Sequence, residues 1–139
     1  MQALELDRTL TELDHVRIKN LIRRDLRDRL PAALTQQIEV ALDSSAVVPA
    51  REVPPDVVTM YSQVMLLDQG SGERTKLALC YPADAEPAAG FISVLSPLGL
   101  SLLGLRVGDV ARWRTPAGER AAEVLEILFQ PEASGDYSL

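Results

Sequence analysis

The chain is poor in the residues that build disulfides, zinc sites and aromatic pockets. Its 139 residues include one cysteine and one histidine, and the aromatic share is 4%. A single cysteine cannot form an intrachain disulfide, which suits a reducing compartment. A structural zinc site is excluded as well, because such sites need about four nitrogen or sulfur ligands.

Basic charge and long apolar runs are also scarce. The formal net charge is −6, whereas proteins that bind duplex DNA normally carry a basic face, so we expect no sequence-specific DNA binding. No apolar run approaches the roughly eighteen residues of a membrane span. The first residues include Glu5 and Asp7 and lack the basic and apolar segments of a signal peptide. We therefore expect a cytoplasmic protein without membrane contacts.

Residues typical of active sites are few and scattered. No serine lies in a G-x-S-x-G motif, and Cys80 lies in an apolar run that is typical of a buried thiol. His15 is predicted on the polar, solvated side of a helix. Asp84 and Glu86, two residues apart in a loop rich in proline and alanine, come closest to an acid–base pair, but nothing apolar is placed around them and we expect both to be solvated. We expect no catalytic residue, metal site, cofactor or small-molecule substrate.

The first part of the chain has the pattern of two amphipathic helices. Thr11, followed by acidic residues, predicts a capped helix start. Pro31 is predicted to end this helix and to begin a second, which runs to Asp43. The apolar positions predicted to face inward on the first helix are Leu13, Val16, Ile18, Leu21, Ile22, Leu26 and Leu30. Two helices joined by so short a turn predict an antiparallel hairpin, a short coiled coil.

A second unit with strand periodicity follows the hairpin. Serines and prolines between Asp43 and Pro55 predict a boundary, which divides the chain into residues 1–48 and 49–139. Strands are predicted at 57–60, 64–67, 76–81, 91–95, 107–114 and 121–129. Ser96 and Pro97 predict a short helix among them, with Leu98, Leu102 and Leu103 facing inward. The expected class is α+β, with an antiparallel sheet crossed by one short helix.

Three stretches of the sequence resemble the GreA/GreB transcription elongation factors. Residues 92–109 contain Ile-Ser-Val-Leu-Ser-Pro and then Leu-Leu-Gly-Leu-Arg-Val-Gly-Asp. They are similar to the Gre C-terminal pattern I-S-x-x-S-P followed by A/S-L-x-G-x-x-x-G-D. Residues 53–62 and 124–137 resemble the Rnk branch of that family, the regulators of nucleoside diphosphate kinase. The resemblance is close over residues 50–139 and limited to architecture over 11–43.

The resemblance implies a fold, a partner and a docking surface. Gre-like proteins join a helical hairpin to a globular domain of FKBP-like fold, which docks on the coiled-coil rim of the secondary channel of bacterial RNA polymerase. In this sequence the implied docking residues are Asp84, Ser96, Pro97 and Leu98. In cleavage-competent Gre factors, two acidic residues at the hairpin tip help to hold a catalytic magnesium ion. Rnk proteins resemble them in docking, but have a shorter hairpin and are not cleavage factors.

Charge and length at the predicted hairpin tip argue against a cleavage role. The tip consists of Arg27, Asp28 and Arg29, and residues 17–29 hold six basic and two acidic residues. A magnesium-holding tip needs converging carboxylates. A helix from Glu12 to Leu30 is only about 27 Å long. We therefore expect a non-enzymatic regulator of transcription elongation that competes with Gre factors for RNA polymerase and does not stimulate cleavage.

Other functions stay open at this point. An FKBP-like fold suits a peptidyl-prolyl isomerase or another peptide-binding module, although fold alone does not define function and active isomerases line their pocket with several aromatic residues. A direct regulator of nucleoside diphosphate kinase is suggested by the branch name, but no residue indicates a kinase-binding surface. The basic hairpin face is either simply solvated or attracted to acidic polymerase surface or RNA.

Overall fold

A computed structural model of the protein describes residues 8–23 and 32–136. The helices are α1 (Glu12–Leu21), α2 (Ala32–Asp43) and α3 (Pro97–Leu102). The strands are β1 (Thr9–Thr11), β2 (Ala46–Val48), β3 (Gln63–Asp68), β4 (Arg74–Cys80), β5 (Phe91–Ser93), β6 (Val110–Thr115) and β7 (Gly118–Phe129). No helix within these ranges is long and apolar enough to cross a membrane.

The main sheet has the strand order β5-β4-β3-β7-β6. Strands β4 and β5 are parallel, and the other neighbours are antiparallel. Side chains alternate along β3, so Val64 and Leu66 are buried on one face, where they join a core that also contains Ile18 and Ile38 of the helices. The predicted α+β class, with an antiparallel-rich sheet and few helices, is confirmed.

Helix α1 begins where the sequence predicts but buries a different face. The Thr11 hydroxyl oxygen accepts a hydrogen bond from the Asp14 N–H at 3.0 Å, so the predicted cap is confirmed. The predicted burial of Val16 is wrong, because its side chain is 48% exposed. Ile18 and Ile22, one turn apart, lie against the core, and Val16 is on nearly the opposite side of the helix. Leu26 and Leu30 lie outside the described residues.

His15 joins the two helices. We predicted a solvated side chain, whereas His15 is half-buried, with Nε2 3.3 Å from the Leu42 carbonyl oxygen. The start of α1 therefore lies beside the end of α2, as the predicted antiparallel hairpin requires.

The base of the hairpin is built into the globular domain. A parallel pairing of β1 with β2, which the sequence did not predict, joins the two ends of the hairpin. The Arg8 guanidinium donates to the Leu100 and Leu103 carbonyl oxygens, both at 2.8 Å, where the C-terminal end of α3 favours a cation. Burial lowers the pKa of Arg8. Because helices and sheet share one core, the boundary after residue 48 stays a prediction.

The strand predicted at residues 57–60 is wrong. Only Val57 makes a ladder contact there, an isolated bridge to Arg106. Val57, Val58 and Met60 are all buried, so the run is a core segment of irregular backbone. The Val57 carbonyl oxygen accepts a hydrogen bond from the Gln130 side-chain nitrogen at 2.8 Å, and the same nitrogen donates to the carbonyl oxygen of the preceding Pro54 at 2.9 Å.

Candidate functional site

The corner between β5 and α3 is formed by local hydrogen bonds. The Ser96 hydroxyl accepts from the Gly99 N–H at 3.0 Å and donates to the Ser93 carbonyl oxygen at 2.7 Å. Pro97 begins α3 with its ring exposed, and Leu98 is half-buried. The predicted cap and short helix are confirmed. The first turn of α3 is therefore held rigidly, with its outer surface open.

Asp84 lies in a turn that follows β4, at the same end of the sheet. This turn, Pro82–Asp84, is a single 3-10 turn, and Asp84 is exposed. Because β4 and β5 are parallel, their carboxyl ends meet at one edge, where the Val94 N–H donates to the Cys80 carbonyl oxygen at 2.8 Å. The turn that carries Asp84 and the corner that carries Ser96 are thus both presented at that end.

Tyr61 is the residue at this site that sequence reasoning missed. Its hydroxyl donates to Oδ2 of Asp84 at 2.5 Å. Burial and this hydrogen bond raise the pKa of Tyr61 to about 12, so the hydroxyl keeps its proton at neutral pH. Its ring packs edge-on against Tyr81, with the centroids 5.7 Å apart.

The backbone at Tyr61 is strained. Among the non-glycine residues that the structure describes, Tyr61 alone has a positive φ, of 66°. A tyrosine in this left-handed conformation costs on the order of 1–2 kcal/mol, which the surrounding structure must offset. The Tyr61 N–H donates to the Leu79 carbonyl oxygen at 2.6 Å, and this bond fixes the turn. No spacing or composition in the sequence predicts such a conformation for a tyrosine.

A buried carboxyl group connects the hairpin to this turn. Asp14, in the first turn of α1, is 2% exposed, and its Oδ2 accepts from the Met60 N–H at 3.1 Å. Burial raises the pKa of Asp14 to about 6, against the opposing effect of that hydrogen bond. The backbone bond to Met60 and the side-chain bond from Tyr61 are made by consecutive residues. The orientation of α1 is therefore coupled to the turn that holds Asp84.

The segment after β7 closes the same region from the other side. Glu132 Oε1 accepts from the Thr59 hydroxyl at 2.8 Å, and Thr59 also contacts the Ser62 hydroxyl at 2.9 Å. Gln130 is 3% exposed. The chain then forms a 3-10 turn, Glu132–Ser134. Residues 130–134 thus support the segment that carries Tyr61.

The predicted hairpin tip, Arg27, Asp28 and Arg29, lies outside the described residues. Within residues 8–23 and 32–136, no group of three or more histidine, cysteine or carboxylate side chains is arranged to hold a metal ion.

Comparison with known proteins identifies the family. Residues 53–129 match the family "Transcription elongation factor, GreA/GreB, C-term". A regulator of nucleoside diphosphate kinase from Escherichia coli K12 is 40% identical over 131 residues, which cover 94% of this chain and 95% of that protein. GreA of Clostridium botulinum strain Eklund 17B is 34% identical over 91 residues, 66% of this chain and 57% of that protein.

A solved structure agrees with this assignment. The GreA/GreB factor of Nitrosomonas europaea superimposes with a TM-score of 0.73 at 32% identity, over 88% of this chain and 100% of that one. A helical hairpin joined to a domain of this fold defines a class of transcription factors, and this chain belongs to the GreA/GreB transcription elongation factor family. Within the family, the match along nearly its whole length confirms the predicted resemblance to the Rnk branch.

Proposed function

We propose that the protein regulates transcription elongation in the cytoplasm by binding bacterial RNA polymerase at the rim of the secondary channel. In this role it competes with Gre factors and does not stimulate transcript cleavage. It acts as a binding protein and not as an enzyme. Membership of the GreA/GreB family supports the choice of partner, because relatives of this chain are named as a regulator of nucleoside diphosphate kinase and as transcription elongation factors.

One observation supports the docking surface more than any other, the placement of Asp84 beside the α3 corner. Asp84 and Pro97 are exposed at the same end of the sheet, and Leu98 adds a half-buried apolar contact. Tyr61 holds one carboxylate oxygen of Asp84, and no other hydrogen bond to this side chain is present among the described residues. An exposed carboxylate fixed in this way suits a cationic side chain of the partner. The docking site then consists of Asp84, Ser96, Pro97 and Leu98.

The dimensions of the hairpin support the absence of cleavage activity. The sequence predicts a first helix from Glu12 to Leu30, about 27 Å long, and a second helix that ends at Asp43. The tip residues Arg27, Asp28 and Arg29 include one carboxylate and two cations. A short arm with a positive tip is poorly suited to deliver a magnesium ion to a distant active site.

Replacing Asp84 by asparagine tests the docking surface. Asp84→Asn keeps the shape of the side chain and removes its charge, so we expect at least about tenfold weaker binding to core RNA polymerase. The matched control is Glu73→Gln, which removes one exposed negative charge at the opposite end of β4. Affinities measured by fluorescence anisotropy with a labelled protein would compare them. Equal affinity for both variants would contradict the assignment of Asp84.

A further inference from the structure

One face of the main sheet is turned away from the core. Val64 and Leu66 are buried, so Met65 and Leu67 of the same strand lie on the opposite face. Residues paired directly across neighbouring strands share a face, and the register therefore defines the rest of this surface. We call it the outer face; on the three central strands it consists of Arg74 and Lys76 of β4, Met65 and Leu67 of β3, and Glu123 and Glu126 of β7.

The charges on the outer face are segregated by strand. Met65 is paired with Lys76 on one side and with Glu126 on the other. Leu67 is flanked in the same way by a base, Arg74, and an acid, Glu123. Each of these two sets of paired residues forms a row across the sheet, in which the side chain on β4 is basic, the one on β3 is apolar and the one on β7 is acidic. Among the described residues, none of these four charged side chains forms an ion pair.

A groove and an exposed ring lie next to these rows. Gln63 is paired with Ala78 on one side and with Phe129 on the other, and the Phe129 side chain is 38% exposed. The groove has a volume of about 170 Å³ and is lined by Gln63, Lys76, Leu77, Ala78, Ala89, Gly90 and Phe91. A cavity of roughly 150 Å³ is enough for a benzene ring. The groove is thus large enough for a phenylalanine ring, and Phe129 lies on β7, two strands from β4.

We propose that the outer face is a self-association surface on which a second copy of this chain packs with two-fold symmetry. The symmetry axis runs parallel to β3, between the two sheets. A half-turn about this axis places β4 of one copy opposite β7 of the other. Each row of paired residues then lies opposite the equivalent row of the second copy. Lys76 then faces Glu126 of the second copy, and Arg74 faces Glu123, each contact being made twice. The same rotation sets Phe129 over Ala78 and the groove.

The proposed packing agrees with the general geometry of stacked sheets. Two sheets pack about 10 Å apart with strand directions within about 30° of each other, and this axis keeps the strands aligned. A two-fold interface needs one patch that is complementary to itself. The outer face meets this condition because its bases and acids lie on the two strands that flank an apolar strand. A second copy therefore fits it better than a partner of uniform charge.

Charge-reversal variants test the proposal. In sedimentation equilibrium over a wide concentration range, we expect the wild-type chain to form dimers that weaken as salt is raised. In a dimer of Lys76→Glu, the introduced glutamate of each copy would face Glu126 of the other copy. In a dimer of Glu126→Lys, each introduced lysine would face Lys76. Like charges repel in both cases, so each variant should dimerise at least about tenfold more weakly. A mixture of the two should recover dimers, because each chain then faces its complement.

A matched control separates this surface from an effect of net charge. Glu39→Lys makes the same charge change as Glu126→Lys at an exposed position on α2 and should leave dimerisation unchanged. Three outcomes would overturn the proposal: a wild-type chain that stays monomeric at its highest soluble concentration, a mixture that associates no better than either variant alone, or an equal effect of Glu39→Lys.

Discussion

Asp14 carries a charge that the fold accommodates poorly at neutral pH. Its carboxyl group is 2% exposed, and burial raises its pKa from the usual 3.8 to about 6. The nearby carboxylate of Glu132 adds to this rise, while the hydrogen bonds from the Met60 and Thr11 groups and the charge of Arg17 oppose it. The folded state therefore binds a proton more tightly than the unfolded chain does. The contribution of Asp14 to stability is favourable in acid and is lost as pH rises.

The sign of this effect gives a prediction for Asp14→Asn. Wild-type Asp14 is neutral near pH 4 when folded, and above pH 6 its buried charge costs about 3 kcal/mol relative to the neutral form. Asparagine keeps an acceptor for the Met60 N–H and does not titrate. The stability of Asp14→Asn relative to wild type should therefore rise by about 2 kcal/mol between pH 4 and pH 7, because part of the effect is already present at pH 4.

Urea unfolding of both proteins at the two pH values measures this difference, and subtraction removes the contribution of the other titrating groups. A pH-independent difference between the two proteins would mean that Asp14 ionises normally in the folded state.

Among single elements, helix α3 lies close to β5 because residue 99 is a glycine and has no side chain. A Cβ atom there would lie 1.9 Å from the Ser93 carbonyl oxygen and 2.8 Å from its carbonyl carbon. Both neighbours belong to the backbone and cannot move as a flexible side chain could. The helix carrying Pro97 and Leu98 can therefore approach β5 so closely only with glycine at this position.

Gly99→Ala should consequently destabilise the protein by about 3 kcal/mol, even though alanine favours a helix by about 1 kcal/mol over glycine. Gly70→Ala is the control, since its Cβ would meet only the side-chain oxygen of Asp68, at 3.3 Å. Thermal unfolding should place the control within about 0.5 kcal/mol of wild type. Similar stabilities for both variants would show that α3 can move away from β5.

The elements that the sequence predicts correctly are those held by local contacts. Thr11 and Ser96 act on backbone groups three residues ahead, and such local chemistry is visible in the sequence. The run from Val57 to Met60 has strand propensity, but all its side chains are enclosed by distant parts of the chain, including Gln130, 73 residues beyond Val57. This segment is held by burial among distant residues and not by pairing with a neighbouring strand. The local sequence therefore cannot predict its conformation.

In the whole molecule, contacts between distant parts of the chain hold the proposed docking residues in place. Family resemblance predicts the docking residues themselves, but only the fold shows these contacts. Tyr61 and Asp84 are 23 residues apart and meet only because β4 ends beside the turn at Tyr61. Asp14 reaches the neighbouring Met60 across 46 residues. These contacts connect α1, the strained turn and the proposed docking corner, so the orientation of α1 and the shape of that corner are set together.

The proposed function requires that this protein and Gre factors bind the same site on RNA polymerase. A competition experiment distinguishes a shared site from separate sites: core polymerase is saturated with the labelled protein and titrated with an unlabelled Gre factor. We predict complete displacement, with reciprocal displacement of a labelled Gre factor by this protein and no stimulation of transcript cleavage. Simultaneous binding of both proteins, with neither displacing the other, would show that they use separate sites on the polymerase.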